Sequence, residues 1–131
     1  MKFIVEKVKK QWTPEEVTAL LDVAEFVALD LEITDIRSNV YFKFLGSSKS
    51  YFGYCEKEAK NSVTITLFHS KDLEALTRTL AHEMVHAKQF LRGELTNSFR
   101  WHGSTAWKKA KYEDQPWEQE AIQYEETIEL C

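Results

Sequence analysis

A chain of 131 residues with 44% hydrophobic, 29% charged and 13% aromatic residues has the composition of a single folded domain spanning 1–131, and this balance excludes a disordered tail. Its formal charge of −4 argues against a protein built mainly to neutralise phosphates. Arg100, Lys108, Lys109 and Lys111 cluster locally, but such a cluster reads first as an ordinary solvated face, so nucleic acid is disfavoured as a partner.

At the N-terminus only Phe3-Ile4-Val5 forms an apolar run, too short for a signal-peptide core, and no membrane-length apolar stretch follows. A cytoplasmic protein without a membrane span is expected. Thr13-Pro14-Glu15-Glu16 has the form of a helix start, with Thr13 as N-cap, Pro14 in the first turn and Glu16 closing a capping box. Val17, Leu20, Leu21, Ala24, Val27, Ala28 and Leu31 then recur at helical spacing and predict one broad buried face.

From Ile36 the pattern turns to β-type residues broken by turn signals: Val40 to Leu45, Tyr51 to Cys55, and Val63 to Phe68. A three-stranded, largely antiparallel sheet is expected, with Val63, Ile65 and Leu67 lining one fully apolar face. Cys55 and Cys131 are too few and too isolated for a disulfide framework, and both are expected as free thiols.

Ser70 is positioned to cap a central helix that no Pro or Gly interrupts until Gly93. Ser98 to Trp107 has the residues of a short hairpin. Gln115-Pro116-Trp117 opens a last helix with a narrow apolar stripe of Trp117, Ala121, Tyr124 and Ile128. The fold class is α+β.

The central helix carries His82-Glu83-Met84-Val85-His86, an HExxH pattern. Residues four apart lie one turn above each other, so both imidazoles project from one helix face and can grip one ion. Glu83 is turned by about 100° from His82, within reach of a water on that ion without taking a ligand position. Zn2+ suits imidazole and carboxylate donors and lowers the pKa of bound water to about 7, so His82 and His86 are predicted ligands and Glu83 the catalytic base.

The plain alternatives are packed core histidines or exposed surface ones. The apolar stripe of Leu73, Leu76, Leu80, Met84, Ala87 and Leu91 lies away from His82 and His86, which removes the first. A third ligand is required. The metzincin pattern is excluded because Gln89 and Arg92 stand where its Gly and His would be. His102 is one candidate, and a carboxylate of the last helix is the other: Glu120 and Glu125 flank its apolar stripe on opposite sides, and periodicity does not choose between them. His102, Tyr112 and Tyr124 are candidate donors to an oxyanion.

The run Leu80-Ala81-His82-Glu83-Met84-Val85-His86-Ala87-Lys88-Gln89, followed by Pro116-Trp117-Glu118-Gln119-Glu120-Ala121, resembles small zincin-fold proteins of bacteria and phages described as SprT-like or gluzincin-type metallopeptidases. The resemblance covers the second half of the chain at motif level. It implies a zincin-like fold, a zinc metallopeptidase acting on peptide or protein substrates, and Glu120 as third ligand. The His102-Gly103 pair beside Trp101 matches the SprT-type alternative, in which His102 is the third ligand. Neither a zinc-ribbon cysteine set nor a strongly basic tail is present, which weakens a DNA-associated protease role. In zincins of this kind the strand before the active-site helix lies beside the cleft, so Val63 to Phe68 is the strand expected to pair with an extended peptide.

Overall fold

The computed structural model describes residues 1–129; Cys131, expected as a free thiol, lies outside the described residues. The elements in chain order are β1 (Lys2–Val8), α1 (Pro14–Asp30), β2 (Asn39–Leu45), β3 (Gly53–Ala59), β4 (Ser62–Phe68), α2 (Leu73–Leu91), a 3-10 turn (Tyr112–Asp114) and α3 (Pro116–Glu129). No helix among the described residues is long and apolar enough to cross a membrane.

The class is α+β as expected, but the sheet differs from the three-stranded, largely antiparallel one read from the sequence. It has four strands in the order β1-β2-β4-β3, with β1 parallel to β2, β2 parallel to β4, and only β3 antiparallel to β4. The added strand is β1. Its apolar run pairs with β2 in the register Phe3↔Val40 and Val5↔Phe42, and the Phe3 ring meets Phe42 edge-on at 5.4 Å. Helix α1 is the crossover that any parallel pair requires. A two-residue turn, Lys60-Asn61, joins β3 to β4.

Alternation along the strands sends Val40, Phe42 and Phe44 of β2 and Val63, Ile65 and Leu67 of β4 to one face, where all six are fully buried. Leu20, Ala24, Val27 and Ala28 of α1 and Leu76, Leu80, Ala81, Met84 and Ala87 of α2 complete that core. Helix α3 packs on α2 through Trp117 and Ala121, both buried, so the stripe expected on the last helix is its contact face.

Local signals fix where the helices begin. Thr13 caps α1 with the full capping box: its hydroxyl accepts from Glu16 N, and Thr13 N donates to the Glu16 carboxylate at 2.8 Å. Helix α2 is capped by Asp72, whose carboxylate accepts from Ala75 N at 3.0 Å; Ser70, the expected cap, instead accepts from Asp72 N and shapes the entry turn. Arg92, at the position where a metzincin would carry histidine, donates to the carbonyls of Leu31 and Glu32 and ties the end of α1 to the end of α2.

The hairpin expected at 98–107 is absent. The segment turns on single bridges, Leu95↔Trp101 and Trp101↔Ser104, and on left-handed backbone at Phe99, His102 and Gly103 (φ +60°, +47° and +82°). With Asn, Ser, Gly and Thr interleaved among its aromatics, the segment satisfies its backbone in tight turns rather than a ladder.

Candidate metal centre

His82 and His86 project from α2 toward α3, not toward solvent. Helix α3 lies across them, leaving the imidazoles only 12% and 10% exposed, and this removes the reading of two free surface histidines. The two helices run antiparallel: His82 meets Glu125, both histidines meet Glu118, and Lys88 and Gln89 meet Glu120.

Glu118 Oε1 lies 2.9 Å from His82 Nε2 and 3.0 Å from His86 Nε2, and the two Nε2 atoms are 3.2 Å apart. His82, His86 and Glu118 form a group that could hold a metal ion. Donor separations near 3 Å fit one ion well: bonds of about 2.0–2.1 Å in a tetrahedron put donors about 3.3 Å apart.

The outer nitrogens determine what the inner ones can do. His82 Nδ1 faces Glu125 Oε1 at 2.9 Å, an acceptor, so this nitrogen carries a hydrogen. His86 Nδ1 faces Gln89 Oε1 at 2.8 Å. The Gln89 amide has one consistent orientation, because its Nε2 donates to the Trp117 carbonyl at 2.9 Å and to Glu120 Oε1 at 2.7 Å, both acceptors only. His86 Nδ1 therefore also carries a hydrogen. In neutral histidines both Nε2 lone pairs then point, with a carboxylate oxygen, at a common centre. Three acceptors so arranged need a cation among them.

Protons can serve in part. Burial opposes the charged form of His82, but its hydrogen bond to Glu118, the charge of Glu83 and its bond to Glu125 outweigh it and raise its pKa to about 9. His86 is raised as well, with burial again outweighed by Glu118. Glu118 is held down at about 2, its burial overcome by hydrogen bonds and charge from the two imidazoles. Protonating both histidines, however, sets like charges 3.2 Å apart, which a single shared cation avoids.

Glu83 is buried beside this group and bonds to none of the three. Burial raises its carboxyl pKa to about 7, against the opposing pull of His86 and His82. Tyr112 lies near enough to the site that partial burial and the charge of Glu118 lift its pKa to about 12, so its hydroxyl stays protonated and able to donate.

Glu120, the third ligand implied by the sequence resemblance, does not join the imidazoles. It accepts from Lys88 Nζ at 2.6 Å and from Gln89, on the other flank of α3, and these bonds with the Lys88 charge outweigh burial and lower its pKa. Its link to the site is indirect, through Gln89 to His86. His102, the alternative, sits exposed on the left-handed turn with its ring against Trp101 at 4.5 Å and is no part of the group. Of the three oxyanion candidates, Tyr124 donates to Asp30 Oδ2 at 2.7 Å, which leaves Tyr112 at the site.

Glu118 was not singled out from the sequence. A signal for it exists: Glu118 and Glu125 are seven residues apart, so at 100° per residue they lie about 20° from each other on the same flank of α3. A flank with two carboxylates in register with two histidines is the better match for a site that needs one donor and one outer partner.

Comparison with protein-family models, with curated proteins and with solved structures produced no match to this chain.

Proposed function

We propose that this chain is a zinc-dependent peptide hydrolase of zincin-like architecture in which His82, His86 and Glu118 hold the ion and Glu83 is the catalytic base. The observation that carries the reading is the enforced orientation of the two imidazoles. Glu125 and Gln89 take their Nδ1 hydrogens, so two Nε2 lone pairs and Glu118 Oε1 converge within 3.2 Å with no donor of their own. Two histidines, one glutamate and an open fourth position make a catalytic zinc donor set. The kinship with SprT-like and gluzincin-type peptidases belongs to the same proposal, with its third ligand moved from Glu120 to Glu118.

Zinc held there would supply a Lewis acid for a carbonyl and acidify a water. Glu83 takes the proton of the attacking water as its oxygen bonds to the carbonyl carbon. The same carboxyl then delivers that proton to the departing amine nitrogen as the C–N bond breaks. A base with a pKa near 7 suits both directions of transfer. Tyr112 donates to the carbonyl oxygen as it gains charge, and the outer bonds that the imidazoles donate to Glu125 and Gln89 hold them in the tautomer that ligation requires.

An extended peptide substrate joins a sheet at an edge strand, and this sheet has two edges, β1 and β3. The strand expected for this, Val63 to Phe68, is β4, which is flanked on both sides by β2 and β3. Of the two edges, β3 is the one that packs closely on α2: a Cβ on Gly53 would stand 3.2 Å from Thr79 Cγ2, one turn before Glu83.

Elemental analysis of tag-free protein, with a peptide-cleavage screen of wild type and Glu83→Gln, tests the proposal. About one zinc per chain in both proteins, with cleavage only in wild type, is the expected result. Metal without turnover in wild type would make this a zinc-binding protein that is not an enzyme. Full activity in Glu83→Gln would refute the mechanism.

A further inference from the structure

The outward face of β3 carries a second feature. Alternation turns Cys55 toward the core and α2, and turns its neighbours Tyr54 and Glu56 to the opposite face of the sheet. Tyr51, in the loop before β3, folds onto that face with its ring 6.2 Å from Tyr54 and 5.3 Å from Phe68, while Tyr54 and Phe68 are 6.0 Å apart. Tyr51, Gly53, Tyr54 and Glu56 line an open cleft of about 620 Å³. Tyr51 is 55% exposed and Tyr54 37%, so both rings keep surface open to a ligand. Glu56 is exposed and has no ion-pair partner among the described residues; the nearby lysine of that sheet face, Lys43, pairs with Glu6.

We propose that Tyr51, Tyr54 and Glu56 form a subsite for an arginine or lysine side chain of an extended peptide laid along the free edge of β3. The inference rests on the peptide-hydrolase reading, since the same strand places the peptide beside Glu83. Strand geometry links the two. In a peptide paired with β3, the residue opposite Cys55 faces α2, and those on either side of it face Tyr54 and Glu56, with Cβ atoms about 4.5–5.5 Å apart across the pair. A positive group there lies over tyrosine rings, which attract cations within about 6 Å, and beside an unpaired carboxylate. An acidic or phosphorylated side chain would meet Glu56 and, two residues on, Glu58. A purely apolar one would leave the Glu56 carboxylate without a partner.

Because binding is measured separately from turnover, the two readings are separable. Zinc-loaded Glu83→Gln protein is titrated with fluorescent octapeptides of Val, Thr and Ala carrying one arginine, or its neutral isostere citrulline, at each position in turn. Arginine peptides should bind about tenfold more tightly than their citrulline counterparts, at alternate positions only, and the preference should fade at 0.5 M salt. Glu56→Gln and Tyr54→Thr, both exposed β-compatible changes checked by thermal melting, should each reduce the preference to about threefold or less. Equal binding of the two series, a preference that survives both variants, or no peptide binding at all would overturn the subsite. Cleavage by wild type without charge preference would keep the hydrolase and remove the subsite. Arginine-dependent binding without cleavage would keep the subsite and remove the hydrolase.

Discussion

Replacing Glu118 by alanine is the sharpest perturbation of the centre, and its effect should depend on pH in a calculable way. Zinc bound by four protein donors is worth about 10–16 kcal/mol, or roughly 2.5–4 kcal/mol per donor, so losing one of three should weaken binding about 70- to 900-fold. At pH 7.5 a second effect opposes this. With its pKa near 9, His82 in the wild type must lose a proton before it can bind metal, at a cost of about 2 kcal/mol for 1.5 pH units. Glu118 is a main cause of that raised pKa, and removing it returns most of this cost. The net loss at pH 7.5 should therefore be only about 2- to 30-fold, rising to the full value near pH 9.5. Chelator-buffered competition titrations of wild type, Glu118→Ala, Glu125→Gln and Glu120→Gln at both pH values would measure it. Glu125→Gln should cost about 10- to 100-fold and Glu120→Gln less than tenfold, since one touches a ligand and the other only its support. If Glu118→Ala binds within threefold of wild type at both pH values, or Glu120→Gln costs more, the assignment of the third donor is wrong.

Above about pH 4.5, where Glu118 is ionised in both the folded and unfolded chain, the metal-free protein should lose stability as pH rises. Glu83, raised from 4.5 to about 7, stabilises the fold at low pH and loses that contribution between these values; His82, raised from 6.5 to about 9, contributes fully below 6.5 and loses it on the way to 9. Together with saturating zinc, whose binding gains from deprotonation, the trend should reverse; a metal-free Tm that is flat or rising from pH 6.5 to 9 would contradict the cluster. Tyr112→Phe should lower kcat about 100-fold while zinc content and KM change little, and unchanged kcat would remove the hydroxyl from the reaction. Gly53→Ala should cost about 1–3 kcal/mol in urea unfolding, because its Cβ would meet the Thr66 carbonyl oxygen at 2.6 Å; a neutral result would mean that β3 shifts freely.

What the sequence disclosed and what it hid follow from the range of the interactions. The capping box at Thr13, the face of α1 and the HExxH turn are set within one or two helical turns, and each reads directly from spacing. The third donor depends on which flank of α3 faces α2. Trp117 and Ala121 show which stripe is buried, but a stripe has two sides, and only docking decides that Glu118 and Glu125 face the histidines while Glu120 meets Lys88. The sheet order was hidden for a similar reason. Nothing local to Val63–Phe68 shows that it lies between β2 and β3, although the burial of every residue from Val63 to Leu67 fits a central strand. In β1 the charged residues after Val5 obscured a pairing that is parallel and reached only through α1.

The antiparallel contact between α2 and α3 has a topological consequence. His86 and Glu118 are 32 residues apart, and most of the chain between α2 and α3 runs through turns and single bridges rather than paired strands. An ion gripping both ends of that span would act as a cross-link: it would close a long loop otherwise held by helix packing, by the bonds of Lys88 and Gln89 to Glu120, and by the ring contacts of Phe99 and Trp101 with Trp117. Closing such a loop in the unfolded chain would cost on the order of 3 kcal/mol of entropy. A single cut in that span would leave two fragments, one with both histidines and the other with Glu118, and neither with the full donor set.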